Sequence, residues 1–220
     1  MPSVAASLSL GFVLGVRHAF DPDHVVAIGT LVGKHGRARD GLRAGALWGI
    51  GHSATVLVVG LAISLFGLRV SGTMERAVDL LVALMLVVLG ATALRPSRSP
   101  SLRGTAAHSS DDQALEHEAP ARAPARWRPL LVGTVHGLAG SAAVSLLAMT
   151  TLPTRASAVG YLALFGGGTT AAMALATALL TLPALYLRRA FASTAFVKAA
   201  GGLSIAWGVG LGLAVVLGAG

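Results

Sequence analysis

Residues His18-Ala19-Phe20-Asp21-Pro22-Asp23-His24 place two imidazoles and two carboxylates around a proline, inside a stretch that is otherwise apolar from Val4 to Val32. An ionisable side chain near the centre of a bilayer costs about 2.5–3.5 kcal/mol on insertion scales. Several such groups within one turn or two require compensation. A divalent cation supplies it, because imidazole nitrogen and carboxylate oxygen are the donors that divalent first-row metals accept. On an unbroken helix the six-residue step from His18 to His24 turns through about 600°, leaving the two rings roughly 120° apart. Pro22 changes that geometry. It has no N–H for the carbonyl of His18 and its ring clashes there, so the helix must kink or unwind. Unwinding can bring His18, Asp21, Asp23 and His24 round one centre and free backbone carbonyls as further donors. The alternative is a helix end at the membrane surface with the acids in water. The apolar residues 25–32 and the basic loop beyond them speak against it.

Other polar residues interrupt apolar runs. His52, in Gly51-His52-Ser53, is mid-span, and its small neighbours allow close helix approach, which makes it a candidate ligand beside the first helix. A lone intramembrane histidine can equally serve a helix–helix hydrogen bond. His136, in His136-Gly137-Leu138-Ala139-Gly140-Ser141, is open among ligand, pathway residue and packing contact. Ser53 and Ser141 join it as candidate pathway or second-layer residues. Arg17 is the lone basic side chain inside a span, and its spacing to Asp21 is that of helix neighbours, so the two are expected to pair. No residue qualifies as catalytic, and an enzyme is not expected.

The elements that must hold these groups are transmembrane helices. The chain has 220 residues, of which 54% are hydrophobic and 12% charged, and its mean hydropathy is +0.73. Soluble domains carry about twice that charge. Six spans are predicted, at roughly 4–33 (broken at Pro22), 42–66, 77–94, 129–152, 157–187 and 199–219, with Pro183 ending or kinking the fifth. The fold class is therefore an all-α polytopic membrane protein. The net charge of +8 sits in short clusters between spans, the pattern of membrane topology and not of nucleic-acid binding. Lys34, Arg37, Arg39 and Arg43 precede the second span; Arg95, Arg98, Arg103, Arg122, Arg126 and Arg128 precede the fourth; Arg188, Arg189 and Lys198 precede the sixth. The positive-inside rule puts these loops in the cytoplasm and both termini outside. No cleaved leader is expected from a start lacking basic residues. The absence of cysteine excludes thiolate metal sites and iron–sulfur clusters.

Residues 95–128 are rich in Pro, Ser, Ala and charge, and read as a mobile cytoplasmic linker between two three-helix units, 1–94 and 129–220. The units echo one another. Leu14-Gly15-Val16-Arg17-His18 matches Val132-Gly133-Thr134-Val135-His136 at an offset of 118, and residues 45–55 match 160–170 at an offset of 115. An odd number of spans per unit forces a 3+3 inverted repeat, an architecture of secondary transporters with broken helices at the midplane.

The spacing His-x4-Asp-His, here His18, Asp23 and His24 with Arg17 before and Asp21 within, resembles the signature of the nickel/cobalt transporter family. Gly51-His52-Ser53 and the segment from His136 to Ser141 are similar to the second and later motifs of that family. The closest form is its shorter six-span branch, often associated with urease maturation. The resemblance covers most of the membrane part. It implies that His18, Asp21, Asp23, His24 and His52 recognise metal and that the chain is a secondary transporter of Ni2+ or Co2+ across the cytoplasmic membrane. Better-known members have eight spans and both ends inside, a departure here. The efflux branch carries a strongly His-rich loop and this chain does not, which favours uptake over export.

Physics agrees with that expectation. Affinity alone would favour Cu2+ over Ni2+ or Co2+, so selectivity must come from geometry. Inward passage of a dication gains about 4.6 kcal/mol per 100 mV, twice the single-charge value. No nucleotide-binding motif is present, so membrane potential or a proton gradient is the expected driving force. The metal is cargo, and no resident cofactor is expected. The bilayer and the ion are the expected partners, with a cytoplasmic metal acceptor as a further, unspecified candidate. Competing classes account for less: axial haem ligation leaves Asp21 and Asp23 beside an apolar macrocycle, a di-metal membrane enzyme needs more histidines, and an anion exporter has no use for the carboxylates.

Overall fold

The structure is a computed structural model, and it describes residues 4–32, 38–67, 71–95, 127–138, 146, 152–186 and 190–218. Among these residues every regular element is an α-helix: α1 (Val4–His18), α2 (Pro22–Val32), α3 (Ala38–Phe66), α4 (Gly72–Leu94), α5 (Arg128–His136), α6 (Arg155–Tyr186) and α7 (Ala190–Leu217). Four of them are long and apolar enough to cross a membrane, over Ala38–Ile63, Gly72–Leu94, Arg155–Leu182 and Ala195–Leu217, while α1 is apolar but shorter. Large apolar side chains such as Val58, Leu84, Leu175 and Leu213 point out of these helices. Helices satisfy their own backbone polar groups, which is why they can present such surfaces to lipid.

The helices outrun the apolar stretches that announce them. Arg39 and Arg43 lie in α3, Arg76 lies in α4, and Lys198 lies within α7 and not in the preceding loop. Charged residues at these positions can stay in water while the backbone remains helical. Pro183 does not end α6, which continues to Tyr186. Helix ends follow local chemistry elsewhere: the Ser71 hydroxyl accepts from the Met74 N–H at the start of α4, and Gly67, just past α3, takes the left-handed φ of 61° that closes a helix cheaply only at glycine.

The break in the first apolar stretch occupies Ala19–Asp21. The carbonyl of His18, which Pro22 cannot serve, accepts instead from the Asp21 N–H at 3.1 Å in a short turn. Pro22 then opens α2, a position where its missing N–H costs nothing.

The centre of the molecule is an antiparallel pair, α3 against α6. Gly41, Gly45 and Gly49 on α3 pack on Thr181, Thr177 and Thr170 of α6, in descending order. α1 packs on α6, α5 packs on α3, and α4 pairs with α7, with α2 packed against both of these and against α6. Close approaches recur in reciprocal pairs. Gly15 lies against the backbone of Phe165, and Gly133 against the backbone of Trp48. Gly51 meets the carbonyl of Leu130, and Gly168 meets the carbonyl of Phe12. Gly49 meets Thr170, and Gly166 meets Ser53. On the other pair, Gly90 meets the carbonyl of Gly201, and Gly208 that of Ala83.

Two apolar clusters flank the middle of the α3–α6 pair. One gathers Trp48, Ile28, Leu86 and Met173; the other gathers Val56, Tyr161, Leu162 and Phe165. His52 lies one turn from Trp48 and one turn from Val56 along α3. What lies between the clusters is polar.

Candidate metal centre

Four helix segments bring imidazoles to that gap. His18 is the last residue of α1, His24 lies in the first turn of α2, His52 lies in the middle of α3, and His136 is the last residue of α5. All four are buried, with His24 and His136 fully so. Ring centroids are 4.3 Å apart for His24–His136, 4.6 Å for His18–His24, 5.0 Å for His24–His52 and 5.1 Å for His18–His52. His24 is the hub.

The carboxylates take different places. Asp23 reaches into the cluster: its Oδ2 is 2.8 Å from His136 Nε2, and its Oδ1 is 3.3 Å from His24 Nδ1. Asp21 sits at the edge with a side chain 37% exposed, and its Oδ2 accepts from His18 Nδ1 at 2.8 Å. That bond leaves His18 Nε2 as the ring's free lone pair, directed at His52 Nε2, 3.1 Å away. An outer carboxylate that fixes tautomer and raises ring basicity is the usual support of a metal-binding imidazole.

Two sets of donors are close enough to hold an ion, His18/His24/His52 and Asp23/His24/His136, each with its donor atoms within 4.8 Å of one another. Both nitrogens of His24, and Nδ1 of His52 and His136, are buried without a hydrogen-bond partner. Unpartnered buried polar atoms are costly, and a coordinated ion would satisfy them. The helix termini assist. The C-terminal ends of α1 and α5 carry partial negative charge toward the cluster. The N-terminal end of α2 carries partial positive charge, which Asp23 in its first turn offsets.

The remaining candidates fall elsewhere. Arg17 is exposed, and the ion pairs among the described residues are His18–Asp21, His24–Asp23 and His136–Asp23, so the expected Arg17–Asp21 pair does not form. Asp21 is taken by the neighbouring ring, to which the break in the helix turns it. The Ser53 hydroxyl donates to the Gly166 carbonyl at 2.9 Å and lies 3.0 Å from Thr170 Oγ1, joining α3 to α6 outside the imidazole cluster. Ser141 lies outside the described residues, as does the linker between 96 and 126. His136, open in the sequence among ligand, pathway residue and packing contact, lies against Asp23 and His24, and its match to His18 at the end of a half-helix is the signal for that placement. The sequence reading did not single out Trp48 and Phe165, which wall the cluster: Phe165 is 5.4 Å from the ring of His18, and Trp48 is 5.6 Å and 5.7 Å from those of His24 and His136. Nothing distinguishes these two aromatics from lipid-facing ones until the helices are packed.

Comparison with known proteins fits this chemistry. The NicO family model, described as "High-affinity nickel-transport protein", matches residues 4–218. The chain belongs to the NicO family. This NicO-family protein is 35% identical over 206 residues to the urease accessory protein UreH of Bacillus sp. (strain TB-90), spanning 92% of this chain and 88% of that one. It is 36% identical over 94 residues to the cobalt transport protein NhlF of Rhodococcus rhodochrous, spanning 41% of this chain and 26% of that one. A chloroplast protein of Arabidopsis thaliana, FOR GROWTH AND FERTILITY 2, is 30% identical over 176 residues, 77% of this chain and 45% of its own length. No solved structure matches. The NicO-family chain is thus a multi-pass helical membrane protein of a nickel/cobalt transport family, with a divalent metal ion as the class of substrate.

Proposed function

We propose that this chain is a secondary transporter that takes up Ni2+, with Co2+ as a competing cargo, across the cytoplasmic membrane through the His/Asp cluster. The observation that carries the reading is the convergence of four buried imidazoles and Asp23, with unpartnered ring nitrogens, between helix ends in the core of a membrane protein. Asp21 and Asp23 balance the charge of a dication held by neutral rings. His18, His24, His52, His136 and Asp23 are the ligands in this reading, and Asp21 positions His18. The ion is cargo, with no resident cofactor. The description of the family model supports nickel, and the cobalt transport relative supports cobalt as an alternative.

The same proposal carries the topology. Six spans result if α1 and α2 form one broken span and α5 with the residues after it another. The reciprocal contacts support a 3+3 repeat of units 1–94 and 129–220 around the linker 95–128. They recur at separations of 117 for α3 and α6 and 118 for the other helices, a register that makes Thr169, not Gly167, the counterpart of His52. The antiparallel packing of α3 on α6 supports inversion of the second unit. Basic loops inside and termini outside follow from the positive-inside rule, and a cytoplasmic protein would accept the metal.

Uptake of radioactive nickel into cells expressing wild type or His24→Ala, with cobalt as competitor, tests the function. Accumulation above the empty-vector level, suppressed by cobalt and lost in the variant, is the expected result. Lowered accumulation that the variant restores would reverse the direction to efflux. If neither protein alters nickel or cobalt content although both reach the membrane, the cargo is something else, such as an anion.

A further inference from the structure

The donors of the cluster are not arranged as the single shell of one ion. Metal–nitrogen bonds are about 2.0–2.1 Å, so two donors of one ion lie at most about 4.2 Å apart. Among the described residues the donors separate into two sets of three, His18/His24/His52 and Asp23/His24/His136, and do not form one set at the 4.8 Å limit. His52 and His136, one from each set, have ring centroids 5.9 Å apart, against 4.3 Å for His24–His136. Only His24 belongs to both sets, and neither of its ring nitrogens makes a hydrogen bond, Nδ1 lying 3.3 Å from Asp23 Oδ1.

The two sets also have different walls. His18, in the first set, stacks near Phe165. His24 and His136, in the second, lie near Trp48. Gly49 meets Thr170 and Gly166 meets Ser53, so Phe165 stands level with residue 54 of α3. That is six residues from Trp48, or about 9 Å along the helix axis. The aromatics therefore close opposite ends of the cluster, each backed by its own apolar cluster.

We infer that the cargo site comprises two overlapping positions that share His24: an all-imidazole position, His18/His24/His52, on the Phe165 side, and a carboxylate-bearing position, Asp23/His24/His136, on the Trp48 side. The inference rests on the transport reading and specifies how the ion crosses the midplane. His24 stays bound while the other ligands are exchanged, so the ion advances without becoming bare between helices. The first position is uncharged and the second anionic, which favours movement from the Phe165 side to the Trp48 side. In the proposed orientation that direction is inward, because α3 begins at the cytoplasmic face.

The test uses the purified full chain with Ni2+ alone. Equilibrium binding, X-ray absorption at the nickel edge and uptake into proteoliposomes are measured for wild type, His52→Gln, His136→Gln and His24→Gln. Each of the first two variants destroys one position, so each keeps bound nickel with affinity within about 10-fold of wild type. His52→Gln then shows a carboxylate in the shell, His136→Gln shows imidazoles without it, and both fail to pass the ion. His24→Gln, which strikes both positions, loses binding by more than about 100-fold. Equal loss of binding in all three variants, or one unchanged shell short of a single ligand in each, would mean one site and would overturn the inference. Asp23→Asn replaces His136→Gln if that variant fails to fold, with the same all-imidazole shell expected. A wild type that binds no nickel would instead remove the transport reading itself.

Discussion

His18 and His52 face one another Nε2 to Nε2 at 3.1 Å, across 34 residues of sequence and two helices. Two neutral rings can make that contact only if one carries the proton and the other the lone pair. Since His18 Nδ1 is held by Asp21 at 2.8 Å, its proton belongs there, and His52 is the donor through Nε2–H. A ligand position is thereby preset on His18, and one proton shift on His52 frees its Nε2 as well.

Nitrogen NMR of the metal-free protein with labelled histidine checks this assignment. His18 is expected as the Nδ1–H tautomer and His52 as the Nε2–H tautomer. A doubly protonated His18, or the reverse assignment, would contradict the geometry.

Asp21→Asn should weaken nickel binding by about 10–100-fold, the usual effect of removing the outer carboxylate behind a metal-binding imidazole. Arg17→Gln should leave binding within about 2-fold, because Arg17 is exposed and does not pair with Asp21. Isothermal titration of both variants decides the point. Equal losses would restore an Arg17–Asp21 partnership.

Close helix approach makes glycine indispensable at Gly15 and Gly133, whose Cβ positions are filled by the backbones of Phe165 and Trp48. Gly15→Ala and Gly133→Ala should each destabilise the fold by about 1–3 kcal/mol, as overpacking does. Gly202→Ala, where a methyl group meets nothing within 4 Å, should be neutral or slightly stabilising through helix propensity. Unfolding in detergent, monitored by circular dichroism, measures all three. A Gly133→Ala variant as stable as Gly202→Ala would refute the contact.

Ser53→Ala removes the hydroxyl that links α3 to Gly166 and Thr170. Intramembrane hydrogen bonds average about 0.6 kcal/mol, so a loss of that order in stability is expected, with nickel affinity unchanged. A variant of normal stability that binds nickel poorly would instead assign Ser53 to the ion pathway.

Much of this protein is determined by its sequence alone. Low charge and long apolar runs dictate membrane helices, because an unsatisfied backbone in lipid is prohibitively costly. Pro22 dictates a break between His18 and His24, since it can neither donate to the preceding turn nor fit against it. Imidazoles and carboxylates at that break are the donors a divalent cation accepts. Tertiary structure alone decides how they are shared. Asp21 and Asp23 are equivalent in a string of letters, yet the turn at Ala19–Asp21 sends one to the edge behind His18 and the other inward to His136. His136 joins the site only because α5 packs on α3 through Gly133 and Gly51. Trp48 and Phe165 become walls only when glycine contacts set the helices at that depth. Such contacts depend on which faces meet across the bundle, and sequence periodicity constrains faces far less than it constrains helices.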